Sequence, residues 1–139
     1  MKRLLFCCLA ICSFALIGCT TTNQAVLGTT QSQVQLRNMQ SRAFDTTNRS
    51  MVLRAVISTM QDLGFIIDKA DADLGTITGT NYSQASKLTV TIRTLRDRKQ
   101  TVVRANAQVG VNSIESPAAY QNFFAALSQS LFLEAHEVE

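Results

Sequence analysis

The stretch Lys87-Leu88-Thr89-Val90-Thr91-Ile92-Arg93-Thr94-Leu95 decides the fold. Leu88, Val90 and Ile92 alternate with Thr89, Thr91 and Arg93. A period of two in β-branched residues marks a strand with one buried and one wetted face. The polar run Arg96-Asp97-Arg98-Lys99-Gln100 then turns the chain. Beyond it Val103, Ala105, Ala107, Val109 and Val111 alternate with Arg104, Asn106, Gln108 and Gly110. Together the two runs predict an antiparallel hairpin whose apolar face needs a cover.

Toward the N-terminus, Phe65-Ile66-Ile67-Asp68 reads as a strand running into the acidic turn Ala70–Gly75. Thr76-Ile77-Thr78-Gly79-Thr80-Asn81-Tyr82 follows as a Thr-rich strand, in which Gly79 marks a bulge. Two helices supply the cover. Asp45-Thr46-Thr47-Asn48 are good cap residues, and Leu53, Val56, Ile57, Met60 and Leu63 recur at helical spacing, which predicts a helix from Asn48 to Leu63. Gly64 suits the left-handed position beyond its end, with Phe65 packing back on the last turn. Ser41-Arg42-Ala43-Phe44-Asp45 is a short first strand. Ser116-Pro117 starts a second helix, with proline at the position where its missing N–H costs nothing. Its apolar face is Tyr120, Phe123, Phe124, Leu127 and Leu131, and it reaches about Glu134. The order β-α-β-β-β-β-α predicts an α+β two-layer sandwich: an antiparallel sheet of about four to five strands with both helices on one face.

The N-terminus carries a different signal. Lys2 and Arg3 precede an apolar run from Leu4 to Ile17 broken only by Ser13. That is the length of a signal peptide, since a spanning helix takes roughly 20 apolar residues. Leu16-Ile17-Gly18-Cys19 resembles the lipobox of bacterial lipoproteins. The resemblance implies that the signal, residues 1–18, is removed, that the Cys19 thiol carries diacylglycerol, and that the new amino terminus is acylated. The competing reading is an ordinary signal peptide cut elsewhere. Two or three acyl chains at ~0.8 kcal/mol per buried methylene make such an anchor effectively permanent. Thr20, where an aspartate retains such proteins in the inner membrane, implies the outer membrane with the domain facing the periplasm.

Residues 19–40 then read as a lipidated cysteine and a flexible tether rich in Thr, Gln, Asn and Ser. The alternation Gln33-Val34-Gln35-Leu36-Arg37 offers an added sheet-edge strand instead. Residues 41–139 form one α+β domain. Removing 18 residues from 139 leaves 121, enough for one small domain. Cys7, Cys8 and Cys12 leave with the signal, and no disulfide is possible within one mature chain. Loss of Lys2 and Arg3 takes the formal charge from +3 to +1, which argues against nucleic-acid binding through bulk charge.

Chemistry is sparse. The single histidine, His136, sits near the C-terminus with nothing beside it to complete a catalytic set. Asp68, Asp71 and Asp73 supply only a fragment of a calcium loop and read better as a solvated turn. We therefore expect no enzyme activity, no metal and no small-molecule cofactor. Arg93, Arg96, Arg98, Lys99 and Arg104 cluster on the second hairpin. Their guanidiniums suit phosphate or carboxylate, although such a cluster can also be a solvated edge.

From Phe44 to Thr80, about a third of the chain, the order is strand, capped helix ending Gln61-Asp62-Leu63-Gly64-Phe65, then Asp71-Ala72-Asp73-Leu74-Gly75-Thr76-Ile77-Thr78-Gly79. It is similar to domains of the C lipoprotein of the outer-membrane barrel-assembly machinery. The resemblance implies an accessory subunit that binds a protein partner in an envelope assembly for barrel insertion, secretion or efflux. The alternative is a module that binds peptidoglycan, lipopolysaccharide or phospholipid headgroups through the basic hairpin. Cys19→Ser tests the anchor: it is expected to abolish incorporation of labelled palmitate and to move the chain from the membrane fraction to the soluble one.

Overall fold

A reciprocal cap sets the first element of the computed structural model, which describes residues 32–136. The Ser32 side chain accepts from the Gln35 N–H at 3.2 Å, and the Gln35 side chain accepts from the Ser32 N–H at 3.3 Å. Such a capping box satisfies two otherwise orphaned amides and starts helix α1, Gln33–Met39. The chain continues as β1 (Ser41–Phe44), α2 (Arg49–Asp62), β2 (Ile66–Asp71), β3 (Thr76–Asn81), β4 (Ser86–Leu95), β5 (Gln100–Val109), β6 (Asn112–Ser113) and α3 (Pro117–His136). The signal segment, Cys19 and Thr20 lie outside the described residues.

Helix α1 corrects both expectations for its segment, which is neither tether nor added strand. Leu36 is buried. Gln40 is buried too: its carbonyl accepts from the Ala105 N–H at 2.8 Å, and its side-chain amide donates to the Tyr120 hydroxyl at 3.2 Å. The alternation misled because only Leu36 needs burial, while Val34 stays 67% exposed.

The sheet order is β1-β5-β4-β3-β2, antiparallel throughout, with β6 on the β5 edge that β1 also uses. The α+β class is as expected, with six strands and three helices among the described residues in place of four to five strands and two helices. β4 and β5 pair over ten residues, and the register aligns Leu88 with Ala107, Val90 with Ala105 and Ile92 with Val103 on one face. Those residues, of which Ala107 is only partly buried, pack with Ile77 of β3 against Val52, Ala55, Val56 and Met60 of α2 and Tyr120, Phe123, Phe124, Leu127 and Leu131 of α3. Both long helices thus cover one face. All five α3 residues named from spacing are in the core.

Helix α2 starts where the cap residues predict: the Asn48 side chain accepts from the Met51 N–H at 3.0 Å. Its end is also as expected, with Gly64 at φ +81 and Phe65 packed against the core.

Three strand details differ from expectation. β2 runs on to Asp71, so Ala70 and Asp71 are paired residues and not turn. The bulge lies on β2, between Ile67 and Lys69, and not at Gly79. What Gly79 provides is closeness, since a Cβ there would meet Met60 Cε at 2.8 Å and the Ile66 carbonyl oxygen at 2.9 Å. β5 ends at Val109, leaving Val111 89% exposed in the turn to β6. β6, two residues long, is too short to leave a periodic signal.

Tyr120 ties the edge of the sheet to α3. Its hydroxyl donates to the Ile114 carbonyl at 2.9 Å and accepts from the Ala107 N–H and the Gln40 amide, each at 3.2 Å. Tyr120→Phe leaves those three groups without that partner. The expected loss is about 1–3 kcal/mol of unfolding free energy, read from the urea midpoint.

Candidate functional site

The length mismatch between neighbouring strands builds the most distinctive surface feature. β4 pairs with β3 only as far as Thr91↔Thr76, but with β5 as far as Leu95↔Gln100. The end of β4 therefore overhangs β3. The β2–β3 turn folds under the overhang, where the Gly75 carbonyl accepts from the Ile92 N–H at 2.7 Å. The result is a notch of about 840 Å³ lined by Thr47, Arg49, Leu74, Thr91, Ile92, Arg93, Thr94 and Arg96.

Three guanidiniums line this notch, each from a different element. Arg49 is the first residue of α2 and reaches over the turn. Its Nη2 donates to the Asp73 carbonyl at 2.9 Å, and its buried Nε has no hydrogen-bond partner. Gly75 makes room for it. The glycine sits at φ +69, and a Cβ there would lie 2.5 Å from Arg49 Nη2 and 2.5 Å from the Ile92 carbonyl oxygen. Arg93 is exposed on the helix-free face of β4, and Arg96 opens the β4–β5 turn. Among the described residues, neither side chain has a hydrogen-bond or ion-pair partner.

The other basic residues do not join the notch. Arg98 lies with Arg93, Leu95, Asp97 and Val102 in a shallower depression, and its Nε is 3.9 Å from Asp97 Oδ2 in an exposed pair of little energetic weight. Lys99 is in the turn at φ +52. Arg104 is on the sheet face, where its Nη2 donates to Gln40 Oε1 at 3.5 Å. Reasoning along the sequence singled out Arg93 and Arg96 and missed Arg49. The available hint was the glycine in an acidic turn, but only the topology brings that turn beneath the start of α2.

The acidic residues have local partners. Asp71 Oδ1 accepts from the Leu74 N–H at 2.8 Å and closes the turn, while Asp68 Oδ2 accepts from the Thr80 hydroxyl at 2.7 Å. Among the described residues no group of three or more His, Cys, Asp or Glu is placed to hold a metal ion. Nothing is described of the His136 side chain.

The opposite end of the sheet is apolar. Leu63, Tyr82, Val109 and Val111 are 37%, 72%, 44% and 89% exposed, and they lie in or beside the α2–β2, β3–β4 and β5–β6 turns, which meet there. Leu63 also lines a groove of about 290 Å³, together with Phe65, Leu88, Ala107, Tyr120 and Phe123 among others. Asn81 braces this end: its Nδ2 donates to the Leu63 carbonyl at 3.3 Å, and its Oδ1 accepts from the Ser83 and Gln84 N–H groups at 3.1 and 3.2 Å.

No protein-family model and no curated protein matches this chain. Among the described residues, no helix is long and apolar enough to cross a membrane.

Gly75→Ala combines a left-handed backbone with a clash against a backbone oxygen. It is expected to cost at least ~1–2 kcal/mol, lowering the thermal midpoint by several degrees in a calorimetric scan.

Proposed function

We propose that this chain is a non-enzymatic outer-membrane lipoprotein whose domain faces the periplasm and serves as an accessory subunit. It binds a protein partner in an envelope assembly of the barrel-insertion, secretion or efflux kind. The observation that carries this reading is the apolar end. Four large apolar side chains stand exposed at this end of the sheet, one of them, Leu63, lining a groove, and exposed apolar surface of this kind marks contact sites in proteins that otherwise bury such groups. Anchoring through Cys19 adds to it, because confinement to a surface raises the effective concentration of partner, so that a modest patch suffices.

The three-arginine notch favours a second reading, a module that binds an anionic envelope ligand, as peptidoglycan, lipopolysaccharide and phospholipid headgroups all are. The two ends of the domain are separate surfaces, so the readings do not compete for the same residues.

Crosslinking the full-length chain in intact cells, followed by extraction in mild detergent, tests the first reading. A discrete partner protein is expected to co-purify, and Tyr82→Glu with Val111→Glu is expected to reduce its recovery about tenfold without altering the circular dichroism spectrum. Recovery of a lone monomer from the wild-type chain overturns it.

A further inference from the structure

We infer that the notch between the β2–β3 turn and the overhanging end of β4 is a binding site for a phosphate ester. The inference rests on the anionic-ligand reading and narrows it from anions in general to phosphate. The first ground is geometric. A carboxylate presents two oxygens in one plane, and a single guanidinium fork occupies one side of it. Arg49, Arg93 and Arg96 belong to a helix start, a strand end and a turn, and all three line the same space. Cations supplied by three separate elements suit a tetrahedral group, which offers oxygens on several sides.

Charge is the second ground. Three positive groups meet no carboxylate in the lining of the notch, although four of the chain's carboxylates, Asp45, Asp71, Asp73 and Asp97, lie on neighbouring loops and elements. A phosphate monoester carries about −1.5 to −2 at pH 7 and offsets this better than a carboxylate.

Preorganisation is the third. Arg49 is already held by the Asp73 carbonyl and seated over Gly75, so little side-chain entropy is left to lose when it takes a ligand. The first turn of α2 also directs the positive end of its dipole toward this side of the domain. The Thr47 and Thr91 side chains line the same space and add hydroxyl donors. At about 840 Å³ the notch exceeds a bare phosphate group, leaving room for the alcohol it esterifies.

The test uses the full-length lipidated chain in a neutral detergent, titrated calorimetrically with pyrophosphate, with glycerol 3-phosphate and, as a carboxylate of comparable charge, with citrate. Both phosphate compounds are expected to bind at least about tenfold more tightly than citrate. Arg93→Gln and Arg96→Gln are each expected to weaken pyrophosphate about tenfold. Arg49→Lys, which keeps the charge and loses the fork, is expected to do the same. Arg37→Gln, an equal charge change on exposed α1, is expected to stay within about twofold.

Equal affinity for citrate and pyrophosphate overturns the phosphate inference and leaves the anion-binding reading in place. Saturable binding of neither overturns both. A loss with Arg37→Gln as large as with Arg93→Gln shows bulk charge at work and overturns the site. A photo-crosslinking residue at position 74, on the exposed rim, distinguishes the source of the phosphate. In nanodiscs of phosphatidylglycerol it labels the lipid if the ester is a membrane headgroup. Labelling that is absent in the discs, together with retained glycerol 3-phosphate binding, assigns the site to a soluble ester.

Discussion

The antiparallel pairing of β4 with β5, ten residues long, is the constraint on which the rest of the domain depends. It sets Leu88, Val90 and Ile92 beside Ala107, Ala105 and Val103 on one face, giving α2 and α3 a common surface to cover. It also fixes what is left over. Because β3 is only six residues long, it cannot follow β4 to its end, and the unmatched part of β4 becomes one wall of the notch. Core and candidate site thus follow from one difference in strand length.

The parts legible in the sequence were those with a repeating physical pattern. The alternation in β4 and β5 and the apolar stripe of α3 each repeat over several turns or pleats, so burial on one side leaves a trace. The cap at Asn48 and the left-handed glycine after α2 are local chemistry and were legible for that reason. Helix α1 was not: one buried residue, Leu36, leaves no period, and its start depends on a two-residue side-chain exchange at Ser32 and Gln35. β6 exists only because β5 offers an edge. Val111 continued the alternation on paper, but the chain had already turned at Gly110.

The candidate site was half legible for a related reason. Arg93 and Arg96 are close in sequence and share a hairpin, so their proximity follows from local structure. Arg49 reaches them only because the β2–β3 turn and the start of α2 meet at the same end of the sheet, a non-local fact. The basic residues of the hairpin are not equivalent. The Arg98 and Arg104 side chains have partners at Asp97 and Gln40, whereas those of Arg93 and Arg96 have none among the described residues.

The outer edge of β5 has a further consequence. Along its length it is met in turn by β1 opposite residues 101–104, by the Gln40 carbonyl at Ala105, by the Ile114 N–H at Ala107, and by β6 opposite Gln108 and Val109. A patchwork of short segments leaves no long run of free amides on which another copy's strand can grow. At the other side of the sheet β2 is interrupted by its bulge at Asp68 and carries Lys69 beside it, features that discourage edge-to-edge growth. This edge construction amounts to protection against polymerisation.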